Sequence, residues 1–169
     1  MSAPQLRQLV LLAAVVTLLA APAAAQDRVA QLSQAEGTVT ITRATDQSVD
    51  EARQMGPRVR NGSVFTGDVV AVVADGGATM VFTDGSEVKL KPDTRLTVRE
   101  VDFSQLMAAG EADKPVGRVI QVIAGDIWTH VAPNPQVATE FETPSGVAAV
   151  KGTTLTISVD RDAAEGATE

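Results

Sequence analysis

Between residues 64 and 99 the chain repeatedly interrupts short apolar runs with residues that reverse a backbone. Val64-Phe65-Thr66 is followed by Gly67-Asp68, residues 69–74 (VVAVVA) by Asp75-Gly76-Gly77, residues 78–83 (ATMVFT) by Asp84-Gly85, and residues 87–91 (EVKLK) by Pro92-Asp93, before RLTVR resumes the pattern. Asp-Gly and Gly-Gly suit tight turns because such turns need positive φ, which glycine adopts freely and Asp approaches. A reversal every eight or nine residues leaves little room for helices. The runs between reversals alternate or are wholly apolar, as strands are. The spacing therefore predicts an all-β domain of short strands: sandwich, barrel or solenoid.

The flanking sequence extends the pattern. Residues 36–43 (EGTVTITR) alternate Thr with Val39 and Ile41, the period of a strand with one buried face. Lys89 and Lys91 alternate with Val88 and Leu90, so one face of that strand is wet and cationic. Strands are expected again at 118–123, 126–131, 137–143, 147–150 and 154–160. Less regular are the polar stretch 44–51, the arginine group Arg53, Arg58 and Arg60, read as a solvated loop, and residues 102–117, read as a loop with a helical turn at 104–109. Eight positions are assigned to structural turns: Gly67, Asp68, Asp84, Gly85, Gly125, Asp126, Gly152 and Thr153.

The N-terminus has a different character. Arg7 precedes an apolar run from Leu9 to Leu19, then helix-breaking Pro22 and the small residues Ala23-Ala24-Ala25. That order is the pattern of a secretory signal peptide, residues 1–25, cleaved before Gln26. The run is shorter than the roughly 20 residues that span a bilayer; the alternative is an uncleaved inner-membrane anchor. The expected organisation is then a leader at 26–35, the β domain at 36–160 and a disordered acidic tail at 161–169. With no cysteine in the chain, neither lipidation of a Cys nor disulfides contribute. Removal of the signal peptide takes away one cation, Arg7, and moves the formal net charge from −7 to −8. An acidic surface of that kind disfavours nucleic acid as a partner. Four Phe, one Trp and no Tyr leave the core to Val, Ala, Leu and Ile.

Few residues offer chemistry. His130 is the only histidine, whereas triads need a base beside a nucleophile and metal centres commonly need two or more His or Cys ligands. In strict alternation it shares a face with Trp128 and Asp126. Asp68, Asp84, Glu87 and Asp126 are the carboxylates to consider for hydrolysis, but three lie beside turn glycines, where Asp is preferred for its own backbone hydrogen bond. No loop matches an EF-hand or nonapeptide calcium repeat, and Gly152-Thr153 lacks the rest of a phosphate-binding loop. No catalytic, cofactor or metal residue is assigned. Trp128 is either a core anchor or a hot spot at a partner surface, and its flanking Ile127 and Val131 favour the core. Trp128 and His130 are the candidate partner contacts.

The order of these pieces resembles the FecR-like periplasmic domain family. The residues that carry the resemblance are Gly37-Thr38-Val39, residues 62–68 (GSVFTGD), 78–86 (ATMVFTDGS), 90–96 (LKPDTRL), 123–128 (IAGDIW) and 143–153 (TPSGVAAVKGT). The resemblance implies a β-solenoid-like stack of short strands, with a β-sandwich as the alternative. It also implies a periplasmic location. In the family's signalling members this domain relays occupancy of an outer-membrane transporter to a sigma factor. The helical cytoplasmic segment of those members and a further docking domain are not recognised here, so a stand-alone exported member is expected. Three functions follow in order. The first is a non-enzymatic binding or scaffolding module for a periplasmic protein or an envelope polymer. The second is a sensor working with a separate membrane protein, and the third is a carboxylate-dependent envelope hydrolase.

Overall fold

The computed structural model describes residues 28–102 and 116–160, and every regular element among them is a strand. In chain order these are β1 (Arg28–Glu36), β2 (Val39–Thr42), β3 (Val49–Met55), β4 (Arg58–Arg60), β5 (Ser63–Phe65), β6 (Val69–Val72), β7 (Gly77–Phe82), β8 (Glu87–Leu90), β9 (Arg95–Asp102), β10 (Val116–His130), β11 (Val137–Thr143), β12 (Gly146–Val150) and β13 (Thr154–Val159). The stack of short strands takes the form of one curled sheet, a half-barrel. Its order is β4-β3-β2-β6-β9-β10-β8-β7-β1-β5, with β11, β12 and β13 attached through β10. Neighbours are antiparallel except β10 and β11, which run parallel.

Alternation decides what lies inside. Val39 and Ile41 of β2, Val70 and Val72 of β6, Met80 and Phe82 of β7, Val88 and Leu90 of β8, Leu96 and Val98 of β9, Ile120, Val122 and Ile127 of β10 and Phe141 of β11 all point into the curl and are buried. Burying such a side chain fully is worth about 1.5–3 kcal/mol. The core is thus aliphatic, with Phe82 and Phe141 as its aromatic members.

Strand β10 is the hub. Its first part, to Ala124, pairs with β9 and its opening residues also pair with β11; from Ile127 to His130 it lies between β8 and β13. The exchange of partners occurs at Gly125, whose φ is 90°. There the loop between β8 and β9 folds over the strand: Thr94 Oγ1 donates to the Asp126 carbonyl at 2.9 Å, Asp126 N donates back to Thr94 Oγ1 at 3.2 Å, and Lys91 N donates to the same carbonyl at 3.0 Å. Gly125-Asp126, expected to reverse the chain, instead kinks one continuous strand. Glycine is needed because a Cβ there would lie 2.5 Å from Thr94 Cα.

Two other expectations are corrected. Residues 28–35 of the stretch read as a leader belong, with Glu36, to β1, which is paired with β5 and β7 and buries Val29, Ala30, Leu32 and Ala35. The arginine group lies on the β3–β4 hairpin, with Arg53 opposite Arg60 and all three guanidinium groups exposed. Its strands are polar and bury only Ala52 and Val59, so periodicity gave little signal. The helical turn expected at 104–109, the tail 161–169 and the signal peptide lie outside the described residues.

Candidate functional site

Two of the candidate carboxylates are committed to guanidinium groups. Asp68, completely buried in the turn after β5, accepts Arg43 Nη1 at 2.7 Å, Ala44 N at 3.1 Å and Phe65 N at 3.0 Å, while Arg43 also holds Asp50 and lies 5.3 Å from the Phe65 ring centroid. Burial works against the Arg43 charge, but hydrogen bonds to Asp50 and Asp68 outweigh it and leave its pKa raised. Asp84, in the turn after β7, repeats the arrangement. It accepts Arg118 Nη1 at 2.9 Å and both the N–H and the hydroxyl of Ser86 at 3.0 Å. Arg118 in turn reaches Glu100 Oε1 at 2.8 Å and packs 4.0 Å from the Phe82 ring centroid. Burial pushes the Asp84 carboxyl up, but the Ser86 hydrogen bonds and the Arg118 charge pull it below its ordinary value. Such a group is a poor general acid at neutral pH. The two nodes share a recipe: a turn Asp, a Phe three or two residues before it, and an Arg from a remote part of the chain, Arg43 just after β2 and Arg118 on β10. The Val-Phe-Thr that precedes each turn was visible in the sequence; the arginines, remote along the chain, were not.

Glu87, Trp128 and His130 do come together, and the setting is the outer face of the sheet. Inward-facing Ile127, Thr129 and Val131 fix β10 to the core, so alternation turns Trp128 and His130 outward. Trp128 is half-buried and is not part of the core, contrary to the reading favoured from its neighbours. Across β8 and β10, Lys89 lies opposite Trp128 and Glu87 opposite His130. Lys89 Nζ sits 4.7 Å from the indole centroid and 3.5 Å from Glu87 Oε1. Asp84 is not among them, since its carboxylate turns to Arg118.

Register extends this group into two transverse rows. One runs Gln34–Thr79–Lys89–Trp128–Thr156 over β1, β7, β8, β10 and β13; the other runs Gln31–Val81–Glu87–His130–Thr154 over the same strands. Side chains join across strands along each row: Thr79 Oγ1 donates to Gln34 Oε1 at 3.2 Å, and His130 Nδ1 lies 3.0 Å from Thr154 Oγ1. Lys89 was legible as a wet-face cation; the other members needed the strand pairing to be placed. The result is a backbone-braced field on the outer face with one aromatic ring, one cation, one carboxylate and several hydroxyls and amides. Among the described residues no three His, Cys, Asp or Glu side chains converge as metal ligands. A half-buried indole bordered by hydroxyls, amides and one ion pair has the composition found at partner contacts.

The remaining turn residues do structural work. Gly67 and Gly85 take φ of 86° and 84°, and Gly67 N donates to the Val98 carbonyl at 2.7 Å. Gly152-Thr153 returns the chain to β10, where Thr153 O accepts Val131 N at 2.8 Å.

A family model described as FecR protein matches residues 68–169, from the buried Asp68 onward. No curated protein and no solved structure matches the chain.

Proposed function

The chain belongs to the FecR protein family, whose members are associated with the regulation of transmembrane signalling, and on that premise we propose that it is a non-enzymatic sensor domain that acts by binding a separate membrane protein. In this reading the N-terminal signal peptide delivers the domain to the periplasm with Gln26 as its first residue, and Trp128 and His130 are the contacts its partner uses. The observation that carries it is the Trp128 field: an aromatic ring and its polar rows held on five paired strands, while the carboxylates of Asp68 and Asp84 are committed to arginines. Hot spots favour such amphipathic aromatics because the ring supplies area while the N–H finds a polar partner. A family of regulators supports a sensor more than a passive scaffold.

The hydroxyls and amides beside Trp128 support a second reading, adhesion to an envelope glycan, in which a sugar face stacks on the indole once Lys89 swings aside. Photocrosslinking separates the two. A benzophenone amino acid at Thr156, within the field, is compared in living cells with the same probe at Gln121, on the outer face of the other half of the sheet. A covalent adduct with one membrane protein from position 156 alone supports the sensor. An adduct with glycan supports the second reading, and equal labelling from both positions contradicts both.

A further inference from the structure

Four strands end the pairing among the described residues: β4, β5, β12 and β13. An unpaired edge invites another strand, and proteins blunt it with brevity, charge or proline. Strands β4 and β5 have three residues each, and β4 is bounded by Arg58 and Arg60. Strand β13 is faced with Thr and Ser and runs into Asp160. Strand β12 has none of these protections. Its sequence is Gly146-Val147-Ala148-Ala149-Val150, it carries neither charge nor proline, four of its five residues are exposed, and Val147 is 67 % exposed. Among the described residues it pairs with β11 alone, where Phe141, opposite Ala148, is completely buried, and Val150 at its end packs against the core.

We propose that β12 is a self-pairing edge: two copies of this chain join β12 to β12 antiparallel about a two-fold axis and so continue the sheet from one molecule into the next. Three features select a second copy as the occupant. A two-fold axis normal to a sheet must set residues of one face opposite each other, so it runs midway between one residue and its own counterpart, and a small residue there lets the strands close without a clash. Ala149 meets that need. With the axis at Ala149, Ala148 faces Val150 of the second copy, and Val147 faces Lys151 of the second copy. In the β11–β12 register Glu142 is the other neighbour of Val147. Lys151 of each copy can therefore lay its stem over Val147 and bring its ammonium to Glu142 of the other, whose Oε2 already meets Arg99 at 3.0 Å on the exposed face, at both ends of the join. A strand facing an identical strand normally sets like charges together; here the centre is uncharged and the ends are complementary. Only one short strand per copy takes part, which places the contact among small interfaces and makes the dimer concentration-dependent.

The absence of native cysteine gives a direct test. Directly opposed residues of an antiparallel pair lie within disulfide reach. In the purified protein under mild oxidation, Ala149→Cys should form a covalent dimer at least tenfold faster than Ser158→Cys on the β13 edge. It should also exceed Ala148→Cys, whose counterpart lies on a diagonal. The wild-type mass by sedimentation should rise from that of one chain toward twice that value with concentration, and Val147→Lys, which faces Lys151 of the other copy, should stay monomeric. Equal oxidation rates at positions 149 and 158 together with a constant monomer mass would overturn the proposal. So would β12 amides that exchange rapidly in the pure protein at every concentration and slow only when another protein is added, an outcome that assigns the edge to a foreign strand.

Discussion

Arg118 and Asp84 form an ion pair inside the half-barrel, Nη1 to Oδ2 at 2.9 Å, with side-chain exposures of 1 % and 4 %. The pair ties the start of β10 to the turn between β7 and β8, and Glu100 of β9 completes it from the other side. Two charges withdrawn from water are tolerated only when their remaining hydrogen-bonding capacity is met, as it is here by Ser86 and Glu100.

Arg118→Ala should therefore be among the most damaging substitutions in the chain. It leaves two carboxylates without their cation and removes the packing on Phe82, for a cost of about 3–5 kcal/mol. Arg118→Lys should recover only part, because a single ammonium cannot fork to both acids. Urea unfolding followed by far-UV circular dichroism measures both.

Acidification should expose the same node. Asp84 is held below its ordinary carboxylate value of 3.8. A carboxyl whose folded pKa is depressed contributes stability in full above its unfolded pKa and loses it as pH falls through the lower, folded value. The urea midpoint should thus decline as pH drops below about 4, and Asp84→Asn should lower the midpoint at neutral pH while flattening that decline. An unchanged slope in the variant would place the acid sensitivity elsewhere.

Gly125→Ala should destabilise far more than Gly85→Ala. Both glycines have positive φ, but a Cβ at position 85 meets open space, whereas at 125 it strikes the backbone of Thr94. The left-handed conformation alone costs about 1–2 kcal/mol; the collision should take Gly125→Ala beyond about 3 kcal/mol. Thermal unfolding of the two variants side by side gives the comparison.

How these residues were encoded explains what the sequence could disclose. The strands from β6 to β9 were legible because each is short, apolar on one face and closed by Gly, Asp or Pro. Gly125 was marked as special, yet a glycine that kinks a strand and one that reverses the chain look alike in one dimension. Strand β1 was missed because its polar residues, Gln31, Ser33 and Gln34, mask the buried Leu32 and Ala35, and a bulge after Leu32 breaks the alternation. For the candidate site, the sequence placed Trp128 and His130 on one face correctly. It could not show that Ile127 and Thr129 take the inner face, nor that Lys89, distant in sequence, would cover the indole, because both depend on pairing between remote strands.

Trp128→Ala should separate surface from core. The indole sits on the outer face, so its removal should cost about 1–2 kcal/mol, against about 3–5 kcal/mol for Phe141→Ala, whose ring is completely buried. Equal losses in thermal denaturation would return Trp128 to the core and remove it from the partner surface. Because it is the only tryptophan, its fluorescence should also shift when a partner covers the face.

The most direct test of the account is the membrane-protein adduct formed by the Thr156 photocrosslinking probe in a cell whose only copy also carries Trp128→Ala and His130→Ala. The account predicts that this protein is exported, starts at Gln26, accumulates to the wild-type level and loses the adduct that the probe gives with Trp128 and His130 in place. An undiminished adduct from a double variant shown to lack both side chains would contradict it.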